Sequence, residues 1–180
     1  LLMKVLYPNQ IFIIRGNHEF FSQCSTDGFG KQLRLCYNDP SLIDVYVSVF
    51  NYIPFGALIA NNFLCVHGGI GPKVTTLESI NSIQRPVKEF GNEIVDSLCW
   101  SDPSENAIGY QVSNRGLGFI FGKDALDEFH LRNQTRVLIR GHECVMEGFL
   151  EQFNRTIITV FSASNYCGFL ENKGAVLEVY

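Results

Sequence analysis

The chain has 180 residues, enough for one domain with a core of its own. A hydrophobic content of 46% with 18% charged residues excludes a disordered or low-complexity protein. A net charge of -4 speaks against nonspecific nucleic-acid binding, which needs a basic face, and leaves room for a cationic partner, metal ions included.

Leu1 to Leu6 reads as the tail of a helix, and Tyr7-Pro8-Asn9 as a turn. Gln10 to Ile14 is apolar at almost every step, the pattern of a strand covered on both faces. It ends in Arg15-Gly16-Asn17-His18-Glu19, a glycine followed by amide, imidazole and carboxylate. A short helix is expected over Lys31 to Cys36. A clearer one starts at Asp39-Pro40, with Asp39 as N-cap and Ile43, Tyr46, Val47 and Phe50 on one face. Ala57 to Ala60 and Phe63 to Val66 flank Asn61-Asn62 as a hairpin, and the second strand runs into His67-Gly68-Gly69.

Thr75 with Glu78 reads as a capping box for a helix carrying Leu77, Ile80 and Ile83. Val87 to Leu98 has no clear period. Trp100-Ser101-Asp102-Pro103 opens a loop reaching about Gly118, and loops of that length tend to be functional. A strand at Phe119 to Phe121, a helix over Lys123 to Asn133 and a strand at Val137 to Arg140 follow. The last of these ends in Gly141-His142-Glu143. Phe149 to Phe153, Thr156 to Phe161 and Gly174 to Tyr180 read as strands, with a polar loop from Ser162 to Gly168.

Three of the four histidines, His18, His67 and His142, sit just past strands and beside glycine or asparagine. Delivered to one sheet edge, they would form a metal or acid–base site. Imidazole with amide or carboxylate oxygen suits Mn, Fe or Zn rather than Ca. His130 lies on a helix and reads as a partly buried surface histidine without a catalytic role. Arg115 carries a guanidinium fork suited to an oxyanion, or makes a surface salt bridge. Asp102 can orient an arginine or a water, or cap a turn. The six cysteines include no CxxC pair and read as free thiols of a reducing compartment. No apolar run is long enough to span a membrane.

The motifs Arg-Gly-Asn-His-Glu at 15–19, His-Gly-Gly at 67–69, Trp-Ser-Asp-Pro at 100–103, Asn-Arg-Gly at 114–116, Arg-Gly-His at 140–142 and Ser-Ala-Ser-Asn-Tyr-Cys-Gly at 162–168 occur in that order. Each is weak alone. Together they resemble the phosphoprotein phosphatase family, the calcineurin-like serine/threonine phosphatases.

The resemblance implies an α/β metallo-dependent phosphatase fold, a central β-sandwich of mixed sheets flanked by helices, as one domain over 1–180. It implies two metal ions (Mn, Fe or Zn), with Asn17, His67 and His142 matching ligands of one of them. His18 matches the general acid, Arg115 a phosphate-binding arginine, Tyr166 the tyrosine overhanging the site, and Cys167 the cysteine of a loop that toxins approach. The implied reaction is direct hydrolysis of phosphoserine or phosphothreonine by activated water. The implied partners are phosphoprotein substrates and regulatory subunits, with no nucleic acid and no membrane, in cytoplasm or nucleus.

The family also carries motifs of the forms Asp-x-His and Gly-Asp-x-x-Asp-Arg-Gly, upstream of the stretch matched here. They supply the second metal's ligands and the partner of the acid histidine, and neither occurs in this chain. The expectation is therefore a catalytic domain lacking its N-terminal part, with one half of a dinuclear site. Asp27 stands where tyrosine is usual, and Ser164 where many relatives have proline. Two other readings remain: a catalytically incompetent binding module, and a metallophosphoesterase acting on another substrate such as a nucleotide.

Overall fold

The computed structural model describes residues 1–180. Two mixed sheets carry the site. The larger is built from β1 (Gly56–Ile59), β2 (Phe63–Val66), β6 (Val137–Arg140), β8 (Ile157–Val160) and β7 (Phe149–Gln152), in the order β1-β2-β6-β8-β7. The smaller holds β3 (Asp102–Pro103), β5 (Phe119–Phe121) and β4 (Tyr110–Val112), in the order β3-β5-β4. The helices are α1 (Leu2–Leu6), α2 (Phe21–Cys24), α3 (Gly28–Tyr37), α4 (Leu42–Phe50), α5 (Leu77–Asn81), α6 (Glu93–Trp100) and α7 (Lys123–Asn133).

The β1–β2 hairpin is antiparallel, as its Asn-Asn turn predicts, with Ala60 and Asn61 at φ +48° and +55°. From β2 onward the pairing changes: β2 runs parallel to β6, and β6 parallel to β8. Leu64 pairs with Leu138, and Leu138 with Ile157. All three are fully or almost fully buried and form a continuous apolar row. They join Val95, Leu98 and Cys99 of α6 and Leu126 and Phe129 of α7 in the main core. Each such aliphatic side chain contributes roughly 1.5–3 kcal/mol of burial. A satellite cluster of Cys24, Leu33, Ile43 and Val47 packs α2, α3 and α4 together, with Tyr46 and Phe50 against it.

Several sequence expectations shift. Residues 10–14 are not a sheet strand. No neighbouring strand supplies a ladder; Arg15 N–H donates to the Pro54 carbonyl at 2.8 Å, and Phe12 stands exposed beside Lys4. The Asp39-Pro40 helix begins two residues later, because Asp39 spends its carboxylate on the Ser41 amide and hydroxyl. The cap of α5 is Thr76, not Thr75, with its hydroxyl accepting from Ser79 N–H at 3.2 Å. The span 100–118 contains β3 and β4, two and three residues long and too short for a period to show. Residues 174–180 form no strand: both edges of β8 are taken by β6 and β7. His130 is buried rather than at the surface, between the Thr135 hydroxyl at 2.8 Å and the Thr156 carbonyl at 3.2 Å. No helix is long and apolar enough to cross a membrane.

Candidate active site

The parallel run β2, β6, β8 decides where the chemistry collects. The carboxyl ends of parallel strands open onto one sheet edge, the usual place for a site in such sheets. His67 follows β2, Gly141-His142 follows β6, and the loop bearing Tyr166 follows β8. Gly141 N–H donates to the His67 carbonyl at 3.0 Å, fixing these two strand ends side by side. Asn17 and His18 arrive from outside the sheet on a 3-10 turn over 17–19.

Arg15 fastens that turn. Fully buried, it stacks on Phe20 at 3.6 Å and donates to the carbonyls of Glu19 (2.8 Å) and Val87 (2.7 Å) and to Asn51 Oδ1 (3.2 Å). Burial lowers its pKa to about 10, so it remains a cation at neutral pH. Gly16 is required for a reason other than turning. Its φ is −103°, open to any residue, but an added Cβ would stand 2.8 Å from His67 Nδ1. The ring of His67 occupies the space a side chain would fill.

A cavity of about 600 Å³ opens at this edge. It is lined by Asn17, His18, His67, Arg115, His142 and Tyr166, so the six residues singled out in the sequence meet in one place. Gln23, Trp100, Glu143, Cys144 and Phe161 complete the wall. Of these five only Trp100, the first residue of the Trp-Ser-Asp-Pro motif, carried a sequence signal; Glu143 adjoins the Arg-Gly-His motif. Cys167 is exposed and lies outside the lining.

His67 Nε2 lies 2.8 Å from Asn17 Oδ1 and 3.2 Å from His142 Nδ1. Burial, reinforced by neighbouring positive groups, holds both imidazoles down at about 3, so both rings are neutral at physiological pH. Three atoms able to present lone pairs thus converge where only one proton, on His67 Nε2, can be shared. A cation fits that place better than a proton does. Two imidazole nitrogens and an amide oxygen form a donor set suited to a borderline divalent ion, with positions left open for water. No group of three or more His, Cys, Asp or Glu side chains is gathered to hold a metal, and the cradle consists of two imidazoles and one amide oxygen. His142 sits at φ +66°, a left-handed conformation uncommon outside glycine, of the kind that clusters at functional sites.

Beneath the cavity lies an ionic network. Arg140, fully buried, donates to the Gly68 carbonyl at 2.5 Å, Glu143 Oε2 at 2.6 Å and Asp102 Oδ1 at 2.8 Å. Asp102 Oδ2 accepts from Arg115 Nε at 2.5 Å. That bond leaves the outer nitrogens of the Arg115 fork for an anion. Burial pushes the Glu143 carboxyl up, with Arg140 opposing. At the opposite rim, Tyr166 packs edge-on against Phe161 at 5.1 Å. The buried Asn172 holds its loop, accepting from Tyr166 N–H at 2.8 Å and donating to the Ala163 carbonyl at 2.8 Å.

The site thus joins imidazoles at the carboxyl ends of β2 and β6 to an amide from the 17–19 turn and a guanidinium from the loop before β5. The calcineurin-like phosphoesterase family matches residues 1–146, and the chain belongs to that family. Its structure superposes on a protein serine/threonine phosphatase from Saccharomyces cerevisiae, itself described as similar to human phosphatase PP5, with a TM-score of 0.89 and 33% identity. The match covers 96% of this chain and 54% of that one, so the chain spans about half the length of the structure it resembles.

Proposed function

We propose that this protein hydrolyses phosphoserine and phosphothreonine esters of proteins by direct attack of water. One observation carries the reading: an imidazole, a guanidinium and a three-atom cation cradle face one cavity. Asn17, His67 and His142 would hold a divalent ion. When bound, that ion supplies charge for the phosphoryl oxygens and acidifies water.

The remaining work falls to the chain's own side chains. Arg115 takes the phosphoryl oxygens with the outer nitrogens of its fork, oriented by Asp102. Trp100 and Phe161 wall the cavity and restrict water. His18 gives a proton to the serine or threonine oxygen as the P–O bond breaks, a contribution of about 10²–10⁴-fold for a general acid. Tyr166 overhangs the rim, half-exposed, where it can contact the peptide. Regulatory subunits and a cytoplasmic or nuclear location belong to the same proposal; the six unpaired cysteines support a reducing compartment.

The test is phosphate release from a phosphoserine peptide with added Mn²⁺. Release that His18→Asn abolishes supports the reading. Release unaffected by that change overturns the assigned role of His18, and no release overturns the claim that this chain suffices for turnover. A second reading, a non-catalytic binding module, is favoured by the sparse donor set, two imidazoles and one amide oxygen. Mn²⁺ stoichiometry separates the two. Two ions with turnover support the enzyme, and one ion without turnover supports the module.

A further inference from the structure

The loop from Ser162 to Lys173 is held from within by one side chain. Asn172 is 3% exposed and uses both ends of its amide. Oδ1 accepts from Tyr166 N–H at 2.8 Å, and Nδ2 donates to the carbonyls of Ala163 at 2.8 Å and Lys173 at 2.9 Å. The Asn172 carbonyl accepts in turn from Asn165 N–H at 2.9 Å. Lys173 N–H donates to the Met146 carbonyl at 2.8 Å, which fixes the far end of the loop to the segment that follows His142. The backbone between does not hold this shape by preference. Asn165, Cys167 and Glu171 stand at φ +46°, +58° and +55°, a region that residues other than glycine seldom enter and keep only where the surroundings impose it. Tyr166 lies between the first two, with its ring edge-on to Phe161 at 5.1 Å, and both rings line the cavity.

We propose that Asn172 is the positioning residue of Tyr166, and that the loop it locks is a preformed rim for the peptide rather than a flap that closes on it. The role rests on the reading of Tyr166 as a contact for a peptide substrate. Asn172 does not itself line the cavity. It acts by fixing the Tyr166 amide, from which the ring reaches Phe161. Asparagine supplies one acceptor and two donors from a single planar group, and all three are used here. A carboxylate would accept from Tyr166 N–H but could donate to neither carbonyl, and a methyl group could do neither. A ring already fixed has less freedom to lose when a peptide binds. The benefit therefore falls on affinity for the peptide and not on the bond-breaking step.

The test compares two substrates with one leaving group, a phosphoserine peptide and free O-phosphoserine, each with added Mn²⁺. Asn172→Ala should raise KM for the peptide about fivefold, roughly the worth of one hydrogen bond, with kcat within about twofold of wild type. Both constants for O-phosphoserine, which has no flanking peptide, should stay as they are. In a Tyr166→Ala chain the same substitution should cost the peptide nothing more, because the ring it positions is gone. Equal losses on both substrates, a loss carried by kcat alone, or a KM effect that persists without the ring overturns the proposal. Asn172→Asp, which keeps the bond from Tyr166 N–H and loses both donations, carries the same expectations and serves where the alanine variant does not fold.

A second readout needs no turnover. NMR of the wild-type chain should show the Tyr166 amide protected from exchange with water and its ring in contact with Phe161. Asn172→Ala should lose both. Should neither substrate release phosphate in the wild-type chain, it is the proposed function that fails, and these spectra alone then decide the role of Asn172. A ring contact that survives in both variants overturns that role.

Discussion

Asp102 joins a buried arginine to a cavity arginine: Oδ1 accepts from Arg140 at 2.8 Å while Oδ2 accepts from Arg115 at 2.5 Å. Arg140 has no exposure of its own and also holds Glu143 and the Gly68 carbonyl. The position of the Arg115 fork is thereby tied to the strand ends that carry His67 and His142. Asp102→Ala should cost about 1.5–3 kcal/mol in urea unfolding, the value of a hydrogen bond to a charged group. It should also weaken binding of inorganic phosphate, read by calorimetry. A variant that loses stability but binds phosphate normally would show that Arg115 does not depend on Asp102.

The cradle atoms of Asn17, His67 and His142 make a separate prediction. His142→Ala removes a nitrogen 3.2 Å from His67 Nε2. Mn²⁺ affinity should fall by more than the roughly 10–100-fold that loss of an outer-sphere partner costs. His18→Asn, which replaces a ring that contacts Asp27 instead, should leave Mn²⁺ binding within a few-fold of wild type. Titration calorimetry of the two variants checks both, and the reverse order would contradict the ligand assignment.

Gly16→Ala is a sharper test of packing. The new methyl would stand 2.8 Å from His67 Nδ1 and 2.9 Å from Glu19 Oε2. The ring must move, because the backbone conformation at Gly16 needs no glycine. The expected outcome is a loss of about 1–3 kcal/mol, as for other overpacked sites, together with weakened Mn²⁺ binding. A stable variant with normal metal affinity would mean that the ring can shift without consequence.

His130 supplies a pH dependence away from the site. Burial lowers its pKa, with the Thr156 carbonyl opposing. The unfolded chain therefore takes up a proton at His130 at higher pH than the folded chain does. This contribution is fully present above the ordinary histidine value of about 6.5 and is lost as pH falls toward the depressed folded value. His67 and His142 act with the same sign. Between pH 7.5 and 5.5, His130→Gln should lose stability less steeply than wild type, by up to about 1.4 kcal/mol per pH unit. Parallel slopes in urea titrations at several pH values would contradict it.

The sequence by itself determined what is local. The Asn61-Asn62 hairpin, the α4 stripe of Ile43 and Val47, helix α7 and strand β6 follow from turn chemistry and period. Residues that line the cavity were legible in part, because glycine beside imidazole at a strand end is a short-range pattern, repeated at His67 and His142. What the tertiary structure decided is everything that needs a neighbour. Residues 10–14 and 174–180 have strand composition and no strand, since a ladder is a property of two segments and not of one. The buried Arg15 and Arg140 look like surface residues in a sequence, and their roles exist only where carbonyls from distant segments converge on them. The same holds for Asp27: only the fold makes it the cap of α3 and brings its second oxygen to the imidazole of His18, nine residues away.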